Sequence, residues 1–204
     1  LNLKMDEIFT ENVFTSGEAA LKSIQQNKYG EKFYHLGPER DKSLFEGLEK
    51  NKRSLKEADF ILCTGFLENK ENSLDFYKNL LKKYTKLKMV CTNPDLVVNR
   101  GGKQEYCAGK LAEIFKTLGG KVIYFGKPYP EIYKFCIKKN EIVLVIGDNI
   151  RTDIKGANNM KFDSLFITSG IHKSEFLNLP SENYDKVLEK YETKTNYYQE
   201  RLIW

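Results

Sequence analysis

The stretch EIVLVIGDNIRTDIKGANNM, residues 141–160, constrains this chain more than any other. Its aliphatic run reads as a buried strand that breaks at Gly147 into Asp148, and a second acid, Asp153, follows where a helical pattern begins. An Asp directly after a buried strand points out of the sheet edge, and Thr152 is placed to cap a helix whose first turn carries Asp153. Two carboxylates one turn apart beside a helix N-terminus suit a hard cation such as Mg²⁺, which takes oxygen ligands and keeps several waters. The residues alone leave a second reading open, in which Asp148 turns the chain and Asp153 only balances the helix dipole.

The surrounding pattern is α/β with a largely parallel sheet, because short β-rich runs alternate with longer stretches of helical periodicity. The spacing predicts strands at 12–15, 32–36, 59–64, 87–91, 121–125, 141–146 and 163–168. It predicts helices at 17–27, 40–52, 72–84, 104–118, 129–139, 151–159 and 183–192. Polar and small residues gather where strands run into helices, as in TSGEAA, CTNPD, GKPYP, GDNIRTD and TSGIH. In open α/β sheets ligands bind beyond the carboxyl ends of the strands, where loops and helix N-termini converge. No flexible Gly/Ser linker interrupts the chain, so a second domain would be inserted in the first.

Composition narrows the function classes. The 204 residues carry 33 basic and 28 acidic side chains, a net charge of +5, but the lysines are scattered. A nucleic-acid surface needs them clustered on one face, so no nucleic-acid partner is expected. No apolar run approaches the roughly 20 residues that span a bilayer, and LNLKMDEIF is not a signal peptide, so no membrane partner is expected. Cys63, Cys91, Cys107 and Cys136 form no C-x-x-C pair, and three sit in or beside apolar runs as small hydrophobes; a reducing, cytoplasmic setting follows. His35 and His172, the only histidines, lack the neighbours of a metal triad and read as structural.

Two further loops carry chemistry. In FGKPYPEIY, Pro128 cannot continue a strand and Pro130 suits a first helical turn, so Lys127 is held in a stiff connection. A lysine so fixed can neutralise a phosphoryl group or a carboxylate, although a plain surface lysine explains GKP as well. In CTNPDLVVNRGG, Asn93 and Asp95 flank a proline, either as turn residues or as a loop reaching a ligand.

The combination is more specific than its parts. TSGEAA, TNPD, GKPYP, GDNIRTDIKGA and TSGIH, in this order and at these distances, resemble the NagD-like phosphatases, class IIA of the haloacid dehalogenase (HAD) superfamily. The resemblance runs from about Val13 to the closing RLIW. It implies an α/β fold: a HAD-like Rossmannoid core, N-terminally incomplete, with an inserted α/β cap domain of the C2 type, subtype A. Residues 1–16 and 125–204 would form the core and 17–124 the cap. It implies a Mg²⁺-dependent hydrolase of small phosphorylated metabolites, with Asp148 as the metal-binding acid, Asp153 supporting the metal shell and Lys127 balancing charge. Asn93, Asp95 and Asn149 would contact substrate.

In that family an Asp nucleophile attacks phosphorus and water hydrolyses the aspartyl-phosphate. Nucleophile and general acid form an Asp-x-Asp motif on the first core strand, and no Asp-x-Asp occurs in these 204 residues. Only Asp6, Glu7 and Glu11 precede Val13, and none follows an aliphatic strand. The sequence therefore reads as the carboxyl-terminal part of such a phosphatase: a fragment, a gene product that has lost its beginning, or a chain completed by a partner. A core lacking its central strand would expose a sheet edge that favours aggregation or pairing, with a homo-oligomer as one outcome. The alternatives are a non-catalytic remnant that binds a phosphorylated ligand or a protein, and a Rossmann-type nucleotide-binding domain, against which no G-x-G-x-x-G follows any strand.

Overall fold

A computed structural model describes residues 13–70, 73–100 and 103–203, in two compact units that meet in sequence at Gly126 and Lys127. Unit 1 opens on helix α1 (Ser16–Gln25), whose start is written in TSGE: the Thr15 hydroxyl accepts the Glu18 N–H at 3.1 Å. This is half of a capping box, in which a side chain satisfies a donor that the first helical turn leaves open. Four strands follow, β1 (Phe33–Leu36), β2 (Phe60–Cys63), β3 (Lys88–Cys91) and, after the elements below, a fourth at Lys121–Tyr124. They pair in chain order as one parallel sheet, with Phe33 opposite Phe60, Phe60 opposite Lys88, and Lys88 opposite Lys121.

Parallel neighbours need crossovers, and helices α2 (Leu74–Leu81) and α3 (Ala108–Thr117) supply two of them. Tyr77, Leu81, Leu111 and Phe115 from these helices pack with Ile61 and Met89 of the sheet. Phe33, Phe45 and Phe60 bury further aromatic surface, Phe33 meeting Phe45 edge to face at 5.3 Å. Each such side chain, fully buried, contributes roughly 1.5–3 kcal/mol, so the continuous apolar strands hold the unit together.

Three expectations fail here. Residues 13–15 form no strand, because Thr15 is spent on capping α1; Asn12 lies outside the described residues. The helix expected at 40–52 is two short 3₁₀ segments, Glu39–Phe45 and Glu49–Asn51, separated by Gly47 at φ 82°. The helix expected at 104–118 is a hairpin strand and a shorter helix: β4 (Val97–Arg100) pairs antiparallel with β5 (Lys103–Tyr106) before α3 begins. Leu96, Val97, Val98 and Tyr106 favour a pleated surface over a helix, and Gly101-Gly102 marks a hairpin connection in the sequence. The fourth sheet strand, Lys121–Tyr124, is thus β6.

Unit 2 starts with helix α4 (Pro130–Cys136), where Pro130 takes the first turn as its fixed φ predicts. Strands β7 (Leu144–Gly147), β8 (Asp163–Ile167) and β9 (Tyr197–Gln199) form a parallel sheet in that order. Between β7 and β8 lie a π-helical turn (Ile150–Ile154) and helix α5 (Lys155–Met160). Helices α6 (Lys173–Phe176) and α7 (Tyr184–Glu189) complete the unit. Its core joins Ile150, Ile154, Phe166, Phe176, Val187 and Leu188. β9 escaped the sequence reading because three residues are too few to show a period.

β7 pairs only with β8 among the described residues, and its apolar Leu144 and Ile146 are 47% and 37% exposed. Cys63 and Cys91 are buried and Cys107 half-buried, whereas Cys136, expected to pack as a hydrophobe, is exposed on α4. Among the described residues no helix is long and apolar enough to cross a membrane.

Candidate active site

The end of β7 determines the site's geometry. Leaving the sheet at Gly147, the chain passes through Asp148 and Asn149 into the π-helical turn. Asn149, not Thr152, caps that turn: its side-chain oxygen accepts the Arg151 N–H at 2.9 Å. The Asn149 carbonyl accepts the Asp153 N–H at 2.8 Å, and the Asn149 N–H donates to Asp153 Oδ2 at 3.1 Å. This reciprocal closure turns the Asp153 side chain back under the strand end, where it is 6% exposed. Gly147 leaves the room, since a Cβ there would lie 2.3 Å from the Asp153 carboxyl carbon.

The second Asp153 oxygen, Oδ1, accepts from Lys127 Nζ at 2.5 Å, an ion pair between a sealed carboxylate and a half-exposed lysine. The lysine is held by its neighbours. Pro128, joined to Lys127 by a cis peptide, offers its carbonyl to Asn159 Nδ2 at 3.0 Å, which pins the GKP connection to α5. Both Asp153 oxygens are therefore engaged within the protein, and the Lys127 head is presented to solvent as a compact positive charge.

Asp148 is held from the other side. Its Oδ2 accepts the Ile171 N–H at 3.0 Å, and a Cβ at Gly170 would lie 2.2 Å from the same carboxylate. The TSGIH turn after β8 thus fits against Asp148 because position 170 has no side chain. One Asp148 oxygen is committed to the backbone and the half-buried carboxylate faces the strand end. That donor set fits a hard cation bound through one carboxylate and several waters, and not a cage, since no group of three or more His, Cys, Asp or Glu among the described residues could enclose a metal.

Four of the six expected site residues, Lys127, Asp148, Asn149 and Asp153, thus gather at one strand end of unit 2. Asn149 spends its side-chain oxygen on the cap. Asn93 and Asp95 belong to unit 1 and form a turn of their own, in which Asn93 Oδ1 accepts the Asp95 N–H at 3.0 Å. The loop seats closely under α3, since a Cβ at Gly109 would lie 2.2 Å from the Pro94 carbonyl oxygen.

Sequence reasoning missed Tyr133, the residue that closes PYPEIY. Its hydroxyl is buried with no hydrogen-bond partner among the described residues, and burial, with the Asp153 charge second, raises its pKa to about 12. It also missed the use of His172, whose Nδ1 lies 2.6 Å from Glu175 Oε1. The i,i+3 spacing of His and Glu in HKSE was the available signal.

Known proteins resemble this chain in sequence and in fold. A family model described as HAD-hydrolase-like matches residues 124–193. The ribonucleotide monophosphatase NagD of Escherichia coli K12 is 32% identical over 88 residues, 41% of this chain, and the match spans 34% of NagD's own length. A haloacid dehalogenase-like hydrolase from Brucella suis 1330 superposes with TM-score 0.69 at 27% identity, covering 93% of this chain and 71% of that one. The p-nitrophenyl phosphatase of Archaeoglobus fulgidus shares the fold at TM-score 0.69 and 18% identity, over 90% of this chain and 69% of its own. With its GKP, GDNIRTD and TSG loops at the strand ends of a parallel α/β sheet, the chain is similar to haloacid dehalogenase-like hydrolases, and over part of its length to NagD.

Proposed function

We propose that this chain serves a Mg²⁺-dependent phosphatase of small phosphorylated metabolites, and that it supplies the cation and charge-balancing half of the active site. The observation that carries the proposal is the Lys127–Asp153 pair set beside Asp148 at the end of β7. Asp148 would hold Mg²⁺ with waters filling the remaining positions, and the bound ion would offset charge on the transferred phosphoryl group. Lys127, anchored on Asp153, presents its ammonium to the same group, and Asp153 holds that lysine in place. In this reading unit 2 is part of the core and most of unit 1 is the inserted cap of the C2 type, subtype A, with Asn93 and Asp95 on a loop that contacts substrate. Small phosphate esters are favoured because the relatives named for an activity act on ribonucleotide monophosphates or p-nitrophenyl phosphate.

The nucleophile and general acid are assigned to an Asp-x-Asp strand outside these 204 residues, seated on the open edge of β7. Support comes from β7 itself, four residues reading LVIG with Leu144 and Ile146 left exposed. A strand of this composition is stabilised by neighbours on both sides. The chain alone is then inactive, or a remnant that binds a phosphorylated ligand or a protein partner. The test is p-nitrophenyl phosphate turnover by a protein in which an Asp-x-Asp strand precedes this chain, with and without Asp148→Asn. Asparagine still accepts the Ile171 N–H, so the fold is retained while Mg²⁺-dependent turnover falls by roughly a hundredfold or more. Turnover that survives Asp148→Asn removes Asp148 from the metal site. Turnover by the unextended chain refutes the assignment of the nucleophile.

A further inference from the structure

Arg151 and Lys155 flank Asp153 in sequence, yet they serve a different surface. Asp153 is buried against Lys127, whereas Arg151 and Lys155 line an open cleft of about 530 Å³ with Glu175, Lys190, Tyr191 and Glu192. Three cations face two carboxylates there, and the carboxylates are already committed. Glu175 Oε1 takes His172 Nδ1 at 2.6 Å, and the Tyr191 hydroxyl lies 2.9 and 2.8 Å from the two Glu175 oxygens. Glu192 is met by Lys155 Nζ at 3.6 Å, and the same ammonium donates to the Glu192 carbonyl at 3.1 Å. Among the described residues no carboxylate lies within ion-pair distance of Arg151 or Lys190.

The cleft is also ordered before anything binds. Tyr191 is fixed at its hydroxyl by Glu175 and at its ring by the edge of His172, with centroids 5.3 Å apart. The Arg151 guanidinium rests over that fixed ring, 4.6 Å from its centroid, and a side-chain hydrogen bond to Tyr191 anchors it further. A guanidinium held against an aromatic ring has lost much of its rotamer freedom in advance, which lowers the cost of engaging a planar or tetrahedral oxyanion.

We propose that this cleft is a second anion site, one that takes the phosphate group of a small phosphorylated molecule between the Arg151 guanidinium and the Lys190 ammonium. It shares no residue with the Lys127, Asp148 and Asp153 cluster and does not depend on the phosphatase reading. Two cations with no carboxylate at ion-pair distance among the described residues suit a dianion, and a guanidinium carries paired N–H donors of the kind that phosphate oxygens accept.

The test is titration of the ¹⁵N-labelled chain with inorganic phosphate, followed by amide shifts. Saturable shifts are expected at Arg151, Lys155 and residues 190–192. Arg151→Ala and Lys190→Ala should each weaken the apparent affinity by about tenfold, the worth of one charged hydrogen bond. Lys127→Ala should leave this binding unchanged. Lys190 is exposed, so Lys190→Ala carries the test should Arg151→Ala misfold. Shifts confined to the surroundings of Lys127 and Asp148 would overturn the proposal, as would no saturable shift or an affinity indifferent to Lys190→Ala. The first of those outcomes would still favour the phosphatase site.

Discussion

Lys127 Nζ lies 2.5 Å from Asp153 Oδ1, joining the GKP connection to the turn that follows β7 across 26 positions of sequence. The pair is asymmetric, with Asp153 sealed and Lys127 half exposed. Removing the lysine leaves a buried carboxylate whose remaining hydrogen-bond donor among the described residues is the Asn149 N–H. Lys127→Met should therefore destabilise unit 2 by about 1 kcal/mol, at the lower end for a buried pair because water reaches the vacated position. Urea unfolding of the variant and the parent measures it, and equal midpoints would show that the pair serves chemistry and not stability.

The fit of Gly170 against Asp148 gives a second prediction. A Cβ at 170 would fall 2.2 Å from the Asp148 carboxylate, far inside contact distance. Gly170→Ala must move either the acid or the turn, at a cost of about 1–3 kcal/mol by the usual penalty of overpacking. The hydrogen bond from the Ile171 N–H to Asp148 is the first to be lost, so the Ile171 amide should exchange with solvent faster than in the parent protein. Unchanged Ile171 protection would mean that the turn has slack that the geometry does not show.

What the sequence disclosed and what it hid follow from the range of the forces involved. β2, β3 and β7 were legible because their apolar runs are continuous, and Pro130 fixed the start of α4 through its own ring. The Asp148, Asp153 and Lys127 cluster was legible because it lies in loops whose residue types serve no packing role. The hairpin at 97–106 was hidden, because lysine, glutamine and glutamate around Tyr106 extend the periodicity of α3 backwards, and pairing with Val97 and Val98 overrides it. Asn149 displaced Thr152 as the cap since a π-helical turn starts at Ile150, one residue ahead of the helix expected at 151–159. Tyr133 was hidden for a different reason: only packing shows that its hydroxyl has no partner.

That unpaired hydroxyl supports a third prediction. A buried O–H without an acceptor has given up its water without compensation, at a cost of about 1–3 kcal/mol. Tyr133→Phe keeps the ring and its edge contact with Phe162, at 6.0 Å between centroids, and removes only the stranded group. The variant should be as stable as the parent or more stable, by up to about 1 kcal/mol in urea. A loss of stability would reveal that the hydroxyl has an acceptor in solution.

His35 supplies a pH dependence in unit 1. On β1 it is 4% exposed, its Nε2 lies 2.9 Å from Thr64 Oγ1, and its ring meets Phe45 at 4.7 Å. Burial, reinforced by the charge of Lys52, pulls its pKa from 6.5 down to about 4. The unfolded chain therefore binds a proton that the folded chain refuses throughout this window, and stability must rise with pH across it. The contribution is fully present above pH 6.5 and is lost as pH falls toward 4. A shift of this size corresponds to about 3 kcal/mol at most. Urea midpoints measured from pH 4 to pH 7 should fall steadily on the acid side, and the part due to His35 should vanish in His35→Gln, which keeps a polar partner for Thr64 but cannot titrate. If both proteins show the same slope, the acid sensitivity arises from carboxylates and His35 takes up its proton within the fold.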